Sequence, residues 1–386
     1  MSKYPTVKLG DVCDILNGFA FKSENYVKSG LRIIRISNVQ KGYLEDKDPK
    51  FYPIDSIKSF NSFILKSEDI LISLTGNVGR VAIIKDSFLP AVLNQRVACL
   101  RPNSGVLNPK YLFQILNSDF FEKNCINNAK GIAQKNMSTE WLKLYKIPLP
   151  NLQIQNEIST NILKITENIE KRKQQLIKLD MLAKSRFIEM FGDPISNSKG
   201  WEITKLEDLG ELSRGISKSR PRNLPELLGG KYPLVQTGDV ANSELYITRY
   251  NSTYSELGLK QSKMWKAGTL CITIAANIAK TAILKFDACF PDSIVGFKSN
   301  GKTNQIFIHY IFSFFQELLE SQAPTVAQKN INLQTLQNLM VICPPSKFQN
   351  DFESFIQQLD KSKFRIKKSL EKLEMTYKAL LQEYFG

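Results

Sequence analysis

The stretch LQIQNEISTNILKITENIEKRKQQLIKLDMLAKSRFIEMFG (152–192) constrains this chain more than any other. Ile158, Ile165 and Leu179 fall on one seven-residue series, and Ile162, Ile169, Leu176 and Ala183 fall on a second. The two series interleave at steps of four and three, the spacing of a coiled-coil seam. No Pro or Gly interrupts the stretch before Gly192. It reads as one helix of about 38 residues, a rod on the order of 57 Å long at ~1.5 Å per residue. A rod with one apolar stripe cannot bury that stripe alone, so it requires a partner helix.

The partner is at the other end of the chain. In SKFQNDFESFIQQLDKSKFRIKKSLEKLEMTYKALLQEYFG (346–386), Phe352, Leu359, Ile366, Leu373 and Leu380 form one series, and Ile356, Leu370, Tyr377 and Tyr384 the other. Lys363 is the one polar residue in the stripe, a position suited to setting register. The two stretches align without a gap at an offset of 194 residues: Gln155-Asn156 matches Gln349-Asn350, Leu176 matches Leu370, and Phe191-Gly192 matches Phe385-Gly386. The chain is a tandem repeat. It divides into a globule (1–150), a central helix (151–193), a second globule (194–345) and a C-terminal helix (346–386).

Charge follows the same division. Of the net +15, residues 1–150 carry +8 (21 basic, 13 acidic) and residues 194–345 carry +4 (16 basic, 12 acidic), leaving +1 and +2 on the helices. Basic charge concentrated in two repeated globules favours a polyanionic partner such as nucleic acid. The 386 residues suffice for two cores. No apolar run of about 18 residues is present, so no membrane span is expected, and MSKYPTVKLGDV lacks the apolar segment of a signal peptide. Six cysteines without CxxC spacing and a single histidine, His309, argue against a zinc site and for reduced, mostly buried thiols in a cytoplasmic protein.

In the first globule, β-branched apolar runs predict strands at Leu31–Ile36, Ile70–Leu74, Val81–Ile84 and Ala91–Leu100. Asn108-Pro109 opens a helical pattern over Tyr111–Leu116, and Ser138 looks like the cap of another short helix. The second globule repeats the order. LKSEDILISLTGNVGRVAII (65–84) corresponds to WKAGTLCITIAANIAKTAIL (265–284), Gly18 to Gly215, and GIAQKNMS (131–138) to TVAQKNIN (325–332).

No catalytic constellation is complete. Residues 296–303, GFKSNGKT, match the phosphate-binding pattern G-x-x-x-x-G-K-[ST] in full, which would make the chain a P-loop nucleotide-binding protein. The equivalent stretch of the first repeat, LRPNSGVLNP, has no such motif, and no magnesium-binding Asp on a later strand accompanies it, so it reads as a polar turn between strand and helix. Asp48-Pro49-Lys50-Phe51 and Asn108-Pro109-Lys110-Tyr111 have Lys where an adenine methyltransferase loop has a second Pro. Pro291-Asp292 could open a nuclease carboxylate pair, but no acidic residue follows before Glu317. His309, inside the apolar run Ile308–Phe315, reads as a packed helix histidine.

Particular strings go further. KLGDV near the start, SLTGNVGRVAI (73–83) followed by NQRVACLRP (94–102), IPLPNLQIQNEI (147–158), FIEMFGDP (187–194), FPDSIVGF (290–297) and the ICPP…QN segment follow the order that the two halves share. With them the chain resembles the specificity (S) subunit of type I restriction-modification systems over essentially its whole length. The resemblance implies an α+β fold: two mixed α/β target recognition domains separated by two long helices that pair as an antiparallel coiled coil. Each domain would read one half of a bipartite, asymmetric site on double-stranded DNA, and the helices would set the gap. Two modification (M) subunits would dock on the chain and methylate adenine with S-adenosylmethionine, and restriction (R) subunits would add ATP- and Mg-dependent translocation and cleavage. The chain itself would bind no cofactor and catalyse nothing. A coiled-coil adaptor without DNA specificity would explain the helices but not the two basic globules.

Three segments are candidates for DNA contact. The loop with Thr75, Asn77 and Arg80, and its counterpart with Asn277 and Lys280, offers small residues for close approach, Asn for adenine edges, and Arg or Lys for guanine or phosphate. It reads equally as a tight turn. Lys130, Gln134, Lys135 and Asn136, with Gln328, Lys329 and Asn330, form a repeated polar segment that reads equally as a helix cap. Lys218, Arg220 and Arg222 make a basic loop unique to the second globule; the bland reading is a solvated loop. Gln95 and Arg96 read as core hydrogen-bonding residues. The helix seam is assigned to Ile158, Ile162, Ile165, Ile169, Leu176, Leu179, Phe352, Ile356, Leu359, Ile366, Leu370 and Leu373 as an interface.

Overall fold

A computed structural model describes residues 3–129, 136–275, 277–322 and 331–385. The chain separates into two compact units, Met1–Lys173 with Lys367–Gly386, and Gln174–Ile366. Each long helix therefore gives one half to each unit.

In the first unit a four-stranded antiparallel sheet runs in the order Cys13–Asn17, Val97–Pro102, Ile70–Ser73, Val81–Ile83. Its central strands are apolar over Val97–Leu100 and Ile70–Ile72, where both faces are covered. Ile70, Ile72, Ala98 and Leu100 share a core with Tyr111, Leu112 and Ile115 of the helix Pro109–Leu116. Leu71, Val97 and Cys99 face Ile34, Ala91 and Leu93 of a three-stranded sheet, Phe51–Tyr52, Leu31–Ile34, Ala91–Leu93. A third pairing, Thr6–Lys8 with Lys146–Pro148, closes the domain.

The expected strand Ala91–Leu100 is two strands in two sheets. Val97 N–H donates to the Asn94 carbonyl at 2.9 Å, and the Asn94 side chain accepts from Arg96 N at 3.3 Å. This turn carries the chain from one sheet to the other. Gly18 crosses against it so closely that a Cβ there would lie 2.1 Å from the Asn94 carbonyl oxygen. The helix starts follow the capping rules: Asn108 accepts from Lys110 N and Tyr111 N with Pro109 in the first turn, and Ser138 caps Thr139–Leu144.

The second unit repeats this plan. Gly210–Arg214, Ile294–Ser299, Leu270–Thr273 and Thr281–Leu284 form the main sheet in that order, extended by Tyr246–Ile247. A second sheet runs Ser252–Tyr254, Leu228–Leu234, Ala288–Cys289, Met264–Trp265, and Ile203–Lys205 pairs with Met340–Ile342. The helix Gln305–Gln322 packs on the main sheet.

The long helices are Leu152–Phe191 and Ser346–Phe385. Within the first unit their halves are antiparallel: Ile158 and Ile162 share a core with Phe385, and Lys173 lies 3.6 Å from Glu374. Ile165, Ile169, Leu370 and Leu373 continue the seam, half-buried. Within the second unit the same holds: Ala183, Phe187 and Phe191 pack with Phe352, Ile356 and Leu359, and Lys363 pairs with Asp180. Leu176, Leu179 and Ile366 are half-buried there. The helix bases thus belong to the globular cores as well as to the seam. Gln155, fully buried, ties one base down: it accepts from Asn108 N at 2.8 Å and donates to Val106 O at 2.9 Å and Pro150 O at 2.8 Å. Gln349 does the same in the second unit, accepting from Thr303 Oγ1 at 2.8 Å and donating to Pro344 O at 2.7 Å.

Candidate nucleic-acid interface

The hairpin between Ile70–Ser73 and Val81–Ile83 is locked by Ser73. Its hydroxyl donates to the Asn77 carbonyl and accepts from Arg80 N at 3.1 Å, while Gly79 N donates to Ser73 O at 3.0 Å. Gly79 has φ +83°, and a Cβ on it would lie 2.8 Å from Cys125 Cβ, so glycine is required. In the second domain Thr273 replaces Ser73, with Lys280 N donating to its hydroxyl at 3.1 Å. Ala279 takes the left-handed position at φ +59°, a conformation costing an alanine roughly 1–2 kcal/mol. The small residues here have a backbone reason, and the turn they make leaves Asn77 and Asn277 exposed. Thr75 is half-buried, and its hydroxyl has no partner among the described residues. Arg80 donates to Gln40 Oε1 at 2.6 Å and Lys280 to Gln316 Oε1 at 3.0 Å, so both cations are held by their own domains.

Two further segments meet this hairpin. Leu74 N donates to Arg96 O at 3.0 Å, Met137 N donates to Leu74 O at 2.8 Å, and Thr75 is bridged to Asn136. The second domain repeats the junction, with Ile274 N on Ser293 O and Ile331 N on Ile274 O, each at 3.0 Å. Three stretches far apart in sequence therefore converge in each domain. Lys130, Gln134, Lys135, Gln328, Lys329 and Asn330 lie outside the described residues. The core role expected for Gln95 and Arg96 is not met. Both are exposed, on the turn that changes sheets, and neither side chain has a hydrogen bond among the described residues.

The junction equates Arg96 with Ser293, and hence Gln95 with Asp292. In the second domain the basic loop reaches this place. Arg220 Nη2 lies 3.1 Å from Asp292 Oδ2, Arg222 Nη2 bonds Asp292 Oδ1, and Arg214 donates to the Asp292 carbonyl at 2.7 and 2.9 Å. The loop base is pinned as well: Ser219 N donates to Gln261 Oε1 at 3.0 Å and Lys218 N to Gln261 O at 3.3 Å. Asp292 is thus an arginine anchor, with one carboxylate oxygen on Arg220 and the other on Arg222. Arg214 and the anchoring role of Asp292 were missed in the sequence, where some 70 residues separate the partners.

The 296–303 motif does not form a phosphate cradle. Gly296 is a strand residue whose Cβ would meet the Trp265 ring at 2.6 Å. Gly301 N donates to Ser299 Oγ at 3.0 Å and Lys302 N to Asn300 Oδ1 at 3.2 Å, and Gln349 takes the Thr303 hydroxyl. The donors a phosphate would need are used within the turn and by the C-terminal helix.

Among the described residues no group of His, Cys, Asp and Glu is arranged to hold a metal, and no helix is long and apolar enough to cross a membrane. Burial pushes the Cys13 thiol up to about 12 and raises Cys99, Cys125 and Cys271 as well, away from nucleophilic use. His309 Nδ1 sits 2.9 Å from Thr281 Oγ1, and burial, reinforced by the charge of Lys363, lowers its pKa to about 4.

Residues 1–179 and 198–375 each match the family described as type I restriction modification DNA specificity domain. The MjaVIII specificity subunit of a type I restriction enzyme from Methanocaldococcus jannaschii is 31% identical over 197 residues, 47% of this chain and 46% of that protein. The chain thus aligns with less than half the length of that relative. A putative type I specificity subunit of the same organism, MjaX, is 22% identical over 389 residues, covering 95% of this chain and 90% of its own. The crystal structure of the S subunit of the type I restriction-modification system from M. genitalium superposes with TM-score 0.63 at 14% identity, covering 100% of this chain and 96% of that one, and so shares the fold. With both halves matched, this chain belongs to the type I restriction-modification DNA specificity family and carries two copies of its domain.

Proposed function

We propose that this chain is the sequence-reading subunit of a type I restriction-modification complex. Each recognition domain reads one half of a bipartite, asymmetric site on double-stranded DNA, and the paired helices hold the two readers at a set spacing. The observation that carries this reading is the same three-segment junction built twice, around Asn77 and around Asn277, in two domains that hold +12 of the net charge. Exposed Asn, Gln and Arg at such a junction suit base edges, while the basic surface suits phosphate.

Two modification subunits would dock on the chain and carry S-adenosylmethionine and the adenine methylation; restriction subunits would carry ATP, Mg and the cutting. The long helices offer surface for such partners. In the second unit Ile177, Met181 and Ile188 recur along one face of the central helix, all exposed, and Phe364 is exposed on the C-terminal helix. In the first unit Leu163 and Met375 are exposed.

The test is methylome sequencing of a host expressing this chain with its modification subunit. A split, adenine-methylated motif with a fixed gap is expected. Adding seven residues at matched places in both helices lengthens each by about 10.5 Å at ~1.5 Å per residue. That shifts the gap by about three base pairs at ~3.4 Å each. An active complex with no split motif would sink the reading, and an unchanged gap would sink the spacer role.

A further inference from the structure

Three guanidinium groups converge on one residue of the second domain, Asp292, and they are not equivalent. Arg214 is spent on the Asp292 carbonyl through both Nε and Nη2. Arg220 is held by three acceptors: Ser217 O at 2.5 Å, Ser219 O at 2.9 Å and Asp292 Oδ2. It closes its own loop. Arg222 has a single partner among the described residues, Asp292 Oδ1, and its side chain is 43% exposed. Its Nε and Nη1 donors remain open. The loop is fixed at its base by Gln261 and at its far end by Asp292, so little of the chain moves when Arg222 takes a ligand.

An arginine held on one edge by a carboxylate has lost most of its rotamer freedom before binding. It forfeits less entropy than a free side chain when its fork meets a planar pair of acceptors. A phosphate can take the same fork but carries no sequence information; at a base edge the preset fork becomes discrimination. In the first domain the matching positions hold Gln95 and Arg96, exposed and unclamped. There the same place is occupied without preset orientation.

We propose that Asp292 is a positioning residue that presets Arg222 to read a guanine in the half-site bound by the second domain, with Arg220 locking the loop that carries it. This rests on the reading of the chain as a DNA-specificity subunit. The guanidinium fork would take the O6 and N7 acceptors of guanine in the major groove.

The test uses the full chain co-purified with its modification subunits and a pool of duplexes with the site randomised, read by enrichment and by salt-dependent binding. Arg222→Ala should relax one G·C pair of one half-site by about 5- to 150-fold and leave the other half-site untouched. Arg222→Lys keeps the charge and loses the fork, so it should relax the same pair while non-specific affinity and salt dependence stay as they were. Asp292→Asn should relax that pair too, yet tighten non-specific binding, because it removes an acidic group from the surface. A merely structural carboxylate would lose both. The proposal is overturned if Lys restores discrimination, or if Asp292→Asn leaves discrimination unchanged. It is also overturned if Arg222→Ala weakens all sequences evenly and lowers the salt slope by about one, as a phosphate contact does. If the unaltered complex enriches no split site, the specificity-subunit reading itself has failed; if it does and the variants behave as wild type, only the role of Asp292 and Arg222 has.

Discussion

Replacing Gln155 by leucine should unfold the first unit well before the second. Leucine has nearly the same volume, so packing is little changed, but three backbone groups lose their partner: Asn108 N, Val106 O and Pro150 O, bonded at 2.8, 2.9 and 2.8 Å. Gln155 is 0% exposed, so water does not take its place without opening the structure. An unpaired buried polar group costs about 1–3 kcal/mol. Three such groups, eased by some local opening, give a loss of about 3–5 kcal/mol. For a unit of roughly 190 residues, each kcal/mol shifts the midpoint by about 2–4 °C, so a drop of about 10 °C is expected. Scanning calorimetry of the full chain reads this directly. Gln349→Leu should move the transition of the other unit by a similar amount. The two effects should add in the double variant, as they do for sites that share no partner. If Gln155→Leu melted within about 1 °C of wild type, the buried clamp would not be what joins helix and domain.

Two further outcomes are expected. Lys363 is 8% exposed while its partner Asp180 has a side chain 58% exposed, so Lys363→Leu removes a desolvated charge and leaves Asp180 to water. Chemical denaturation should show the variant as stable as wild type, or up to about 2 kcal/mol more so; a clear loss would refute this. His309 has its pKa lowered from 6.5 to about 4 by burial, so it stays neutral when folded while the unfolded chain takes up a proton. Stability held above pH 6.5 is lost as pH falls toward 4, by up to about 3 kcal/mol at ~1.4 kcal/mol per unit. His309→Gln, still able to bond Thr281, should flatten that decline in urea midpoints between pH 7 and 4.5, and parallel curves for the two proteins would exclude the histidine as its source.

What could be read from the sequence was local or repeated. The helix seam follows from spacing alone, because side-chain direction along a helix is set by sequence position. The hairpin at 70–83 followed from its apolar runs, and its twin at 270–284 from alignment. The parts that escaped were set by distant neighbours. Ala91–Leu100 reads as one strand only if its polar triplet Asn94-Gln95-Arg96 is passed over; what makes that triplet a turn is Gly18, seventy-odd residues earlier, which shares the corner. Gln95 and Arg96 sit beside buried strand residues in sequence, yet the corner turns them outward. The sequence offered Asp292 only an unmatched nuclease role, because its real partners come from a loop some 70 residues earlier. The identical Gln155 and Gln349 stood out as a repeat signature without disclosing that each holds a helix to a strand-to-helix turn.

The first unit is assembled from the two ends of the chain, and this orders events during synthesis. Its core includes Phe385 beside Tyr111, with ring centroids 5.6 Å apart, and Tyr377 and Tyr384 pack against it. Those residues are made long after the rest of the unit. At ~5–20 residues per second, the roughly 210 residues after Lys173 take on the order of 10–40 s to make. Throughout that interval the nascent domain has no Phe385 to cover Ile158 and Ile162, and its apolar base stands open to chaperones or to other chains. The second unit, continuous from Gln174 to Ile366, has all its parts before Lys367–Gly386 is made. The half that is translated first is the half that is completed last.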